Sequence, residues 1–537
     1  MQDSSLKIDS SLGLPARFTK WREDQLQAVS AITKSDKSVF LGDFPTGTGK
    51  SLLSIGVHRA LRNRCVYLCG TKQLQSQIMS DFSEIAVSLK GKANYPCVLK
   101  YEQFPQVTAD DCAYPKPSSC KYYGECPYYC AKAEAKVAPL VVLNNAYFLA
   151  EANGEFSAFG NTEFLIVDEI DSVDMALLGY IQFTITLKQL EKFGLRLPNN
   201  PDNKNSWLQW IPGTLANLEP WMENYLSQLK GKDPARWGPM EIELQRQAKK
   251  MDKLYGKLDF LRKEVDDSWV FFSHEIKDGR EWVFKPVQVG KYGYRYLWSH
   301  GERALGMSGT IFDPGITCTD LGIDDCDYMR LDSPFPVENR PIFYKPVVNL
   351  TMKTMDYELP ILAKEVDGIL AKYPSEKILV HTVSYKVRDY LLSHLSEQWR
   401  IVTHTSQTRE MELEDFKASK LPLVMLSPSF GRGVDLPEAD NVGAVVIVKM
   451  PYLDLSDPQT KARMNMKDGG RWYSLKAAQS LVQQSGRSIR SKTQRSDTYI
   501  LDSQFSRLRR QLGDTLPAWW TKAIIDVPVE KRAGQLI

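Results

Sequence analysis

Short apolar runs recur along this chain, separated by stretches in which apolar positions return every three or four residues. In SVFLGDFPTGTGKSLLSIGVHRAL the run Val39 to Leu41 leads through a Gly-rich turn into an amphipathic helix. RCVYLCG is a second β-like run, and Phe164 to Val167 within TEFLIVDEIDSVD reads as a short strand buried on both faces of a parallel sheet. From Lys377 onward KILVHTV, WRIVTHT, LVMLSP, GAVVIV and TYILDS follow one another, with helix-like segments between several of them. Such alternation predicts a second parallel-sheet domain, so the fold class is α/β with two such domains.

The pattern changes between residues 182 and 291. Leu254, Leu258, Leu261 and Val265 repeat at coiled-coil spacing in a Lys/Glu-rich segment, which predicts a helical hairpin. WVFFSHEIKDGREWVFKPVQV then reads as a strand pair turning near Asp278 and Gly279. Six of the twelve tryptophans fall here, without any catalytic signature.

A chain of 537 residues with 43% hydrophobic and 25% charged residues can bury several cores. No apolar run approaches the roughly 20 residues of a membrane span, and MQDSSLKIDS lacks the basic and apolar regions of a signal peptide. These features lead us to expect a cytoplasmic protein with no membrane partner. The net charge of +3, from 68 basic against 65 acidic residues, neither demands nor excludes a polyanion in a local groove. In a reducing compartment the nine cysteines are expected as thiols or metal ligands rather than disulfides.

The Gly-rich turn carries the first chemistry. Gly47 and Gly49, flanked by Thr46 and Thr48, let backbone N–H groups crowd around phosphate oxygens, and the helix N-terminus adds a favourable dipole. Lys50 can reach the β- and γ-phosphates and Ser51 can hold Mg²⁺. The bland alternative is a turn that binds nothing. Asp168 and Glu169 emerge from the carboxyl end of the Phe164–Val167 strand, placed for Mg²⁺ and for the attacking water respectively. Near the C-terminus SLVQQSGRSIRS puts Gln483, Arg487 and Arg490 on one helical face. They are either a solvated stripe or, given the second α/β pattern, a glutamine and two arginine fingers facing the nucleotide across a cleft.

Together these segments resemble the XPD/DinG family of superfamily 2 DNA helicases. Arg22 and Gln25 in WREDQLQAV resemble that family's adenine-reading motif, and FPTGTGKS its first helicase motif. TKQLQSQ, beginning Thr71, Lys72, Gln73, resembles the motif that grips single-stranded DNA. DEID stands where DEAH is usual, so Asp171 replaces a histidine through which the second domain is sensed. MSGTI is similar to the third motif, SPFPVENR to the entry into the second motor domain, and SFGRGVDLP to EGVDLPG. In the last, Arg432 replaces an acidic residue while Gly433 and Asp435 are retained.

The resemblance implies two RecA-like motor domains, with an iron–sulfur insertion and a mainly helical arch in the first. The segments expected are 1–89, 136–181 and 292–330 for the first motor domain, 90–135 for the cluster insertion, 182–291 for the arch, and 331–537 for the second motor domain. It also implies Cys97, Cys112, Cys120 and Cys126 as ligands, leaving Cys130 spare. Their spacing, x14, x7 and x5, lacks close CxxC knuckles and favours a [4Fe–4S] cluster over zinc, though four thiolates suit either. A third alternative is a vestigial module packed on its own tyrosines and prolines. Cys65 and Cys69, and also Cys318 and Cys326, are expected as separate buried core thiols. The tyrosines and lysines among the ligands suit a single strand passing over the module, or serve as filler in a small domain without a core.

The reading is therefore a monomeric ATP- and Mg²⁺-dependent motor on single-stranded and tailed duplex DNA. The resemblance implies 5′-to-3′ travel on forks, flaps or R-loops. The compact length and lack of an evident extra terminal domain suggest a prokaryotic or bacteriophage source, hence a nucleoid or host-cytoplasm setting. An ATP-gated clamp or scaffold is the rival from another class. A nuclease finds no clustered carboxylates, and the chain has only six histidines.

Overall fold

The computed structural model describes residues 7–100, 102–114, 116–154, 157–430, 436, 441–486, 489 and 491–529. Its first sheet draws on β1 (Val39–Asp43), β2 (Cys65–Cys69), β3 (Val87–Ser88), β4 (Leu140–Asn144) and β5 (Thr162–Asp168). The chain then leaves for a small antiparallel sheet of β6 (Phe183–Thr186), β7 (Trp269–Ile276) and β8 (Gly279–Pro286). It returns to the first sheet through β9 (Gly301–Ser308) and β10 (Cys326–Arg330). The order of the first sheet is β10-β1-β9-β5-β2-β4-β3 and every pairing is parallel.

The second large sheet contains β11 (Ile342–Val348), β12 (Lys377–His381), β13 (Ile401–Thr403), β14 (Val424–Ser427), β15 (Val442–Ile447), β16 (Asp497–Asp502) and β17 (Ile524–Asp526). It runs β13-β14-β12-β15-β16-β11-β17, again parallel.

These strands are apolar at almost every position because helices cover both faces. In β5, Phe164 and Ile166 enter one core while Leu165 and Val167 enter the other. The same alternation divides Leu379 from Ile378 and Val380 in β12. Cys65 and Cys69 are buried core thiols on β2.

Between β6 and β7 the helices Lys204–Ser227 and Pro239–Glu264 pack side by side, with Leu254, Leu258 and Leu261 buried as the spacing predicts. Trp207, Ile211 and Trp282 join the same continuous core as β5, so this excursion is fused to the first domain rather than tethered to it. No helix among the described residues is long and apolar enough to cross a membrane.

Candidate active site at the inter-domain cleft

The carboxyl ends of the first sheet's strands face a cleft of about 880 Å³, closed on the other side by the segments that lead into β11, β16 and β17. Between β1 and helix Lys50–Leu61 the phosphate loop turns through Gly47 and Gly49, whose φ values of 87° and 76° lie in the left-handed region that favours glycine. Thr46, Lys50 and Ser51 line the cleft, while Thr48 is buried and donates to the Pro45 carbonyl at 2.8 Å.

Gln25 and Arg22 act on this loop from behind. The buried Gln25 amide donates to the Thr48 carbonyl at 2.6 Å and accepts from the Arg22 backbone N–H at 3.0 Å. The Arg22 guanidinium donates to the Gly47 carbonyl.

Asp168 ends β5 and accepts from the Tyr67 hydroxyl at 3.0 Å. Burial, reinforced by the adjacent Glu169 charge and opposed by Lys50, pushes its carboxyl up to about 6. Glu169 holds φ 54°, an uncommon conformation for a residue with a side chain, and it turns the chain at the mouth of the cleft. Lys50, Asp168 and Glu169 thus share one wall, with a buried acid beside a half-buried one.

Asp171 is buried two residues further on. Its carboxylate accepts from Thr310 Oγ1 at 3.1 Å and from Gln483 Nε2 at 3.0 Å. Gln483 also donates to Thr310 Oγ1 at 2.9 Å, and Gln479 donates to the Thr310 carbonyl at 2.8 Å. Lys476, on the same helix Gly469–Ser485, pairs with Asp174 at 2.7 Å. Three separated segments therefore meet at one buried carboxylate, and Asp171, which stands where a histidine is usual, contacts the second domain directly. Arg487, Arg490, Gly433 and Asp435 lie outside the described residues.

Thr71, Lys72 and Gln73 open onto the same cleft. Thr71 caps helix Lys72–Phe82 by accepting from Leu74 N–H at 3.2 Å, and Lys72 donates to Asn94 at 2.9 Å.

Residues 22–193 match the family model "DEAD/DEAH box helicase", and residues 367–523 match "Helicase C-terminal domain". The chain is 23% identical to the ATP-dependent DNA helicase YoaA of Haemophilus influenzae, over 92% of each. It is 22% identical to that of Escherichia coli, over 93% of each. Among solved structures an XPD helicase aligns with TM-score 0.64 and 17% identity over 95% of this chain and 100% of that one. S. tokodaii Xpd4 gives 0.59 and 16% over 94% and 100%. The chain belongs to the XPD/DinG type of superfamily 2 helicases. Its two parallel sheets are the RecA-like motor domains of this helicase type.

Several contributors to the helicase cleft were not legible in sequence. Asp43, buried at the end of β1, accepts from Phe312 N–H at 3.1 Å, Tyr328 Oη at 3.0 Å and Arg330 Nε at 2.9 Å. It ties the strand before the phosphate loop to the segment after Thr310, and burial raises its carboxyl above the usual range. Phe335, Arg340 and Trp519 line the cleft from the inter-domain segment and the C-terminal region. An acid before a glycine-rich loop and the aromatic residues of SPFP and PAWW were the only available signals.

The cysteine-bearing segment is a chain of short turns that ends in helix Pro127–Val137. Cys97 feels the Cys112 and Cys126 charges, and Tyr114 feels those of Cys120, Cys112 and Cys97, so these thiols share one electrostatic neighbourhood. Cys130 is exposed and donates to the Gly124 carbonyl at 3.1 Å. Among the described residues no group of three or more Cys, His, Asp or Glu side chains is placed to hold a metal ion. Cys318 and Cys326 depart from the expectation of separate core thiols: their sulfurs lie 3.2 Å apart, because helix Pro314–Leu321 turns back onto edge strand β10.

The second excursion grips the cysteine segment. Arg246 pairs with Asp111 at 2.6 and 2.9 Å, Gln245 donates to the Cys112 carbonyl at 2.7 Å, and Lys100 donates to the Ala235 and Trp237 carbonyls at 2.8 and 2.7 Å. Its other end meets the second domain. Lys285 pairs with Asp457 at 3.1 Å and Gln459 donates to the Val287 carbonyl at 2.8 Å.

Proposed function

We propose that this ATP-dependent DNA helicase travels 5′-to-3′ along single-stranded DNA and displaces the complementary strand of tailed duplexes, acting as a monomer. The observation that carries the reading is the Asp171–Thr310–Gln483 junction, which joins the hydrolytic wall of the first domain to a helix of the second.

ATP with Mg²⁺ would draw the domains together. Lys50 and Ser51 hold the phosphates and the ion, Asp168 keeps the ion in place, and Glu169 orients water. Gln483, with Arg487 and Arg490 as fingers, faces the γ-phosphate. Loss of the γ-phosphate then releases the domains, and Thr71 to Gln73 hold the strand while the second domain steps. The direct Asp171–Gln483 bond ties the replaced position to the second domain, which speaks against a passive clamp.

The electrostatic proximity of Cys97 to Cys112 and Cys126, and of Tyr114 to Cys97, Cys112 and Cys120, supports Cys97, Cys112, Cys120 and Cys126 as ligands of a [4Fe–4S] cluster. The uneven spacing of these four cysteines, without close CxxC knuckles, suits such a cluster better than a structural zinc. Such a cluster would brace turns that have little apolar core of their own.

Two measurements test the reading. Lys50→Ala should abolish DNA-stimulated ATP hydrolysis, and the wild type should displace strands from 5′-tailed but not 3′-tailed duplexes. ATP turnover without displacement from either substrate would favour the clamp.

A further inference from the structure

Gln25 and Arg22, the expected readers of adenine, are both spent on the backbone of the phosphate loop, and neither lines the cleft. A base entering the cleft must therefore find another surface. Three flat side chains supply one.

Phe335 lies against the loop itself: its ring occupies the space that a Cβ on Gly47 would need. Arg340 donates through Nε to the Phe335 carbonyl at 3.2 Å and through Nη1 to the Trp519 carbonyl at 2.7 Å. Its guanidinium carbon sits 5.5 Å from the centre of a Trp519 ring. These bonds fix Arg340 between the inter-domain segment and the C-terminal region. Among the described residues nothing hydrogen-bonds Nη2 and no carboxylate pairs with the guanidinium. A half-buried cation whose partners are two carbonyls and an indole is suited to stack on a further π surface.

We propose that Phe335, Arg340 and Trp519 form the subsite for the nucleoside half of ATP, with the base held by stacking and the free guanidinium arm directed at the ribose. The inference rests on the ATP-motor reading and deepens it. The shelf belongs to the inter-domain segment and the second domain, whereas the phosphate loop belongs to the first. A bound nucleotide would then bridge the domains through its base as well as its γ-phosphate. Stacking reads the face of a base and not its edge, so ATP and GTP are held alike.

The test is calorimetric binding of ATP, GTP and inorganic tripolyphosphate, each with Mg²⁺, to the full chain without DNA. Phe335→Leu, Arg340→Met and Trp519→Leu should each weaken ATP and GTP by about tenfold, the order expected for one lost base stack, while tripolyphosphate binding is unchanged. Retained tripolyphosphate binding also reports that each variant is folded. Gln25→Ala should weaken nucleotides and tripolyphosphate by the same factor, since it shapes the loop. Unchanged ATP affinity in the three shelf variants, or an equal loss of tripolyphosphate, overturns the subsite and leaves the motor standing. A wild type that binds neither ATP nor tripolyphosphate would remove the motor reading, and the subsite with it.

Discussion

The Gln483 amide donates to the Asp171 carboxylate at 3.0 Å, and this bond crosses from the second motor domain to the position where a histidine is usual. An aspartate can fill the role because the partner is a donor. A carboxylate offers acceptors only, and Thr310 Oγ1 and Gln483 Nε2 both supply hydrogens to it. What the substitution changes is the kind of group: a histidine ring can donate as well as accept, whereas a carboxylate accepts only, and Lys476 donates to the Asp171 carbonyl at 3.1 Å.

Asp171→Ala should lower DNA-stimulated ATP turnover about tenfold or more, the scale of a lost charged hydrogen bond, with ATP affinity almost unchanged. Gln483→Ala should do the same, and the double variant should be no worse than either single. Additive losses in that cycle would show that the two residues act separately.

Arg463 and Asp320 form an ion pair at 3.0 Å, with side chains only 6% and 9% exposed, across the domain boundary. The same guanidinium reaches the Gln288 side-chain oxygen at 3.1 Å once that amide is oriented to satisfy both groups. Removing the guanidinium leaves the buried Asp320 with Lys476, 4.0 Å away, as its remaining cation, so Arg463→Met should cost about 3 kcal/mol. Adding Asp320→Leu should restore part of the loss in thermal unfolding. No recovery in the double variant would place the cost of Arg463→Met elsewhere, for example in its contact with the Trp472 ring, 5.2 Å away.

Arg246→Glu should release the cysteine segment from the neighbouring excursion by turning the Asp111 pair repulsive. Hydrogen exchange should rise about tenfold or more at the amides of residues 95–112, with the two large sheets unaffected. Unaltered protection of that segment would mean that Lys100 and Gln245 suffice to hold it.

Asp502, fully buried at the end of β16, has its carboxyl pushed up to about 6 by burial, against donors such as Met450 N–H at 2.9 Å. The folded state thus holds this proton more tightly than the unfolded chain does. The group costs nothing below its ordinary value of 3.8 and its full penalty above about 6. Asp502→Asn should therefore gain stability relative to wild type at pH 7.5, by up to about 3 kcal/mol, and the gap should close by pH 4. A gap independent of pH, read from melting temperatures, would exclude ionisation as its cause.

Local chemistry made much of this protein readable in advance. Strand, glycine turn and helix at Val39–Leu61 follow from apolar runs and from backbone angles that glycine adopts freely. The acids after β5 follow from the strand that presents them, and the leucine repeat at 254–261 from helical period. None of these depends on distant residues. Tertiary structure alone decided which segments meet. Asp171 reaches Gln483 across 312 positions, Cys318 finds Cys326 through the return of a helix onto an edge strand, and Phe335 covers Gly47. It also set the Gln25 amide on the backbone of the phosphate loop, because a buried amide bonds the nearest unsatisfied backbone carbonyl. Sequence specifies the period and the chemical kind of each side chain. Partners far apart in the chain are set by how two sheets and their covering helices pack, which no local pattern encodes.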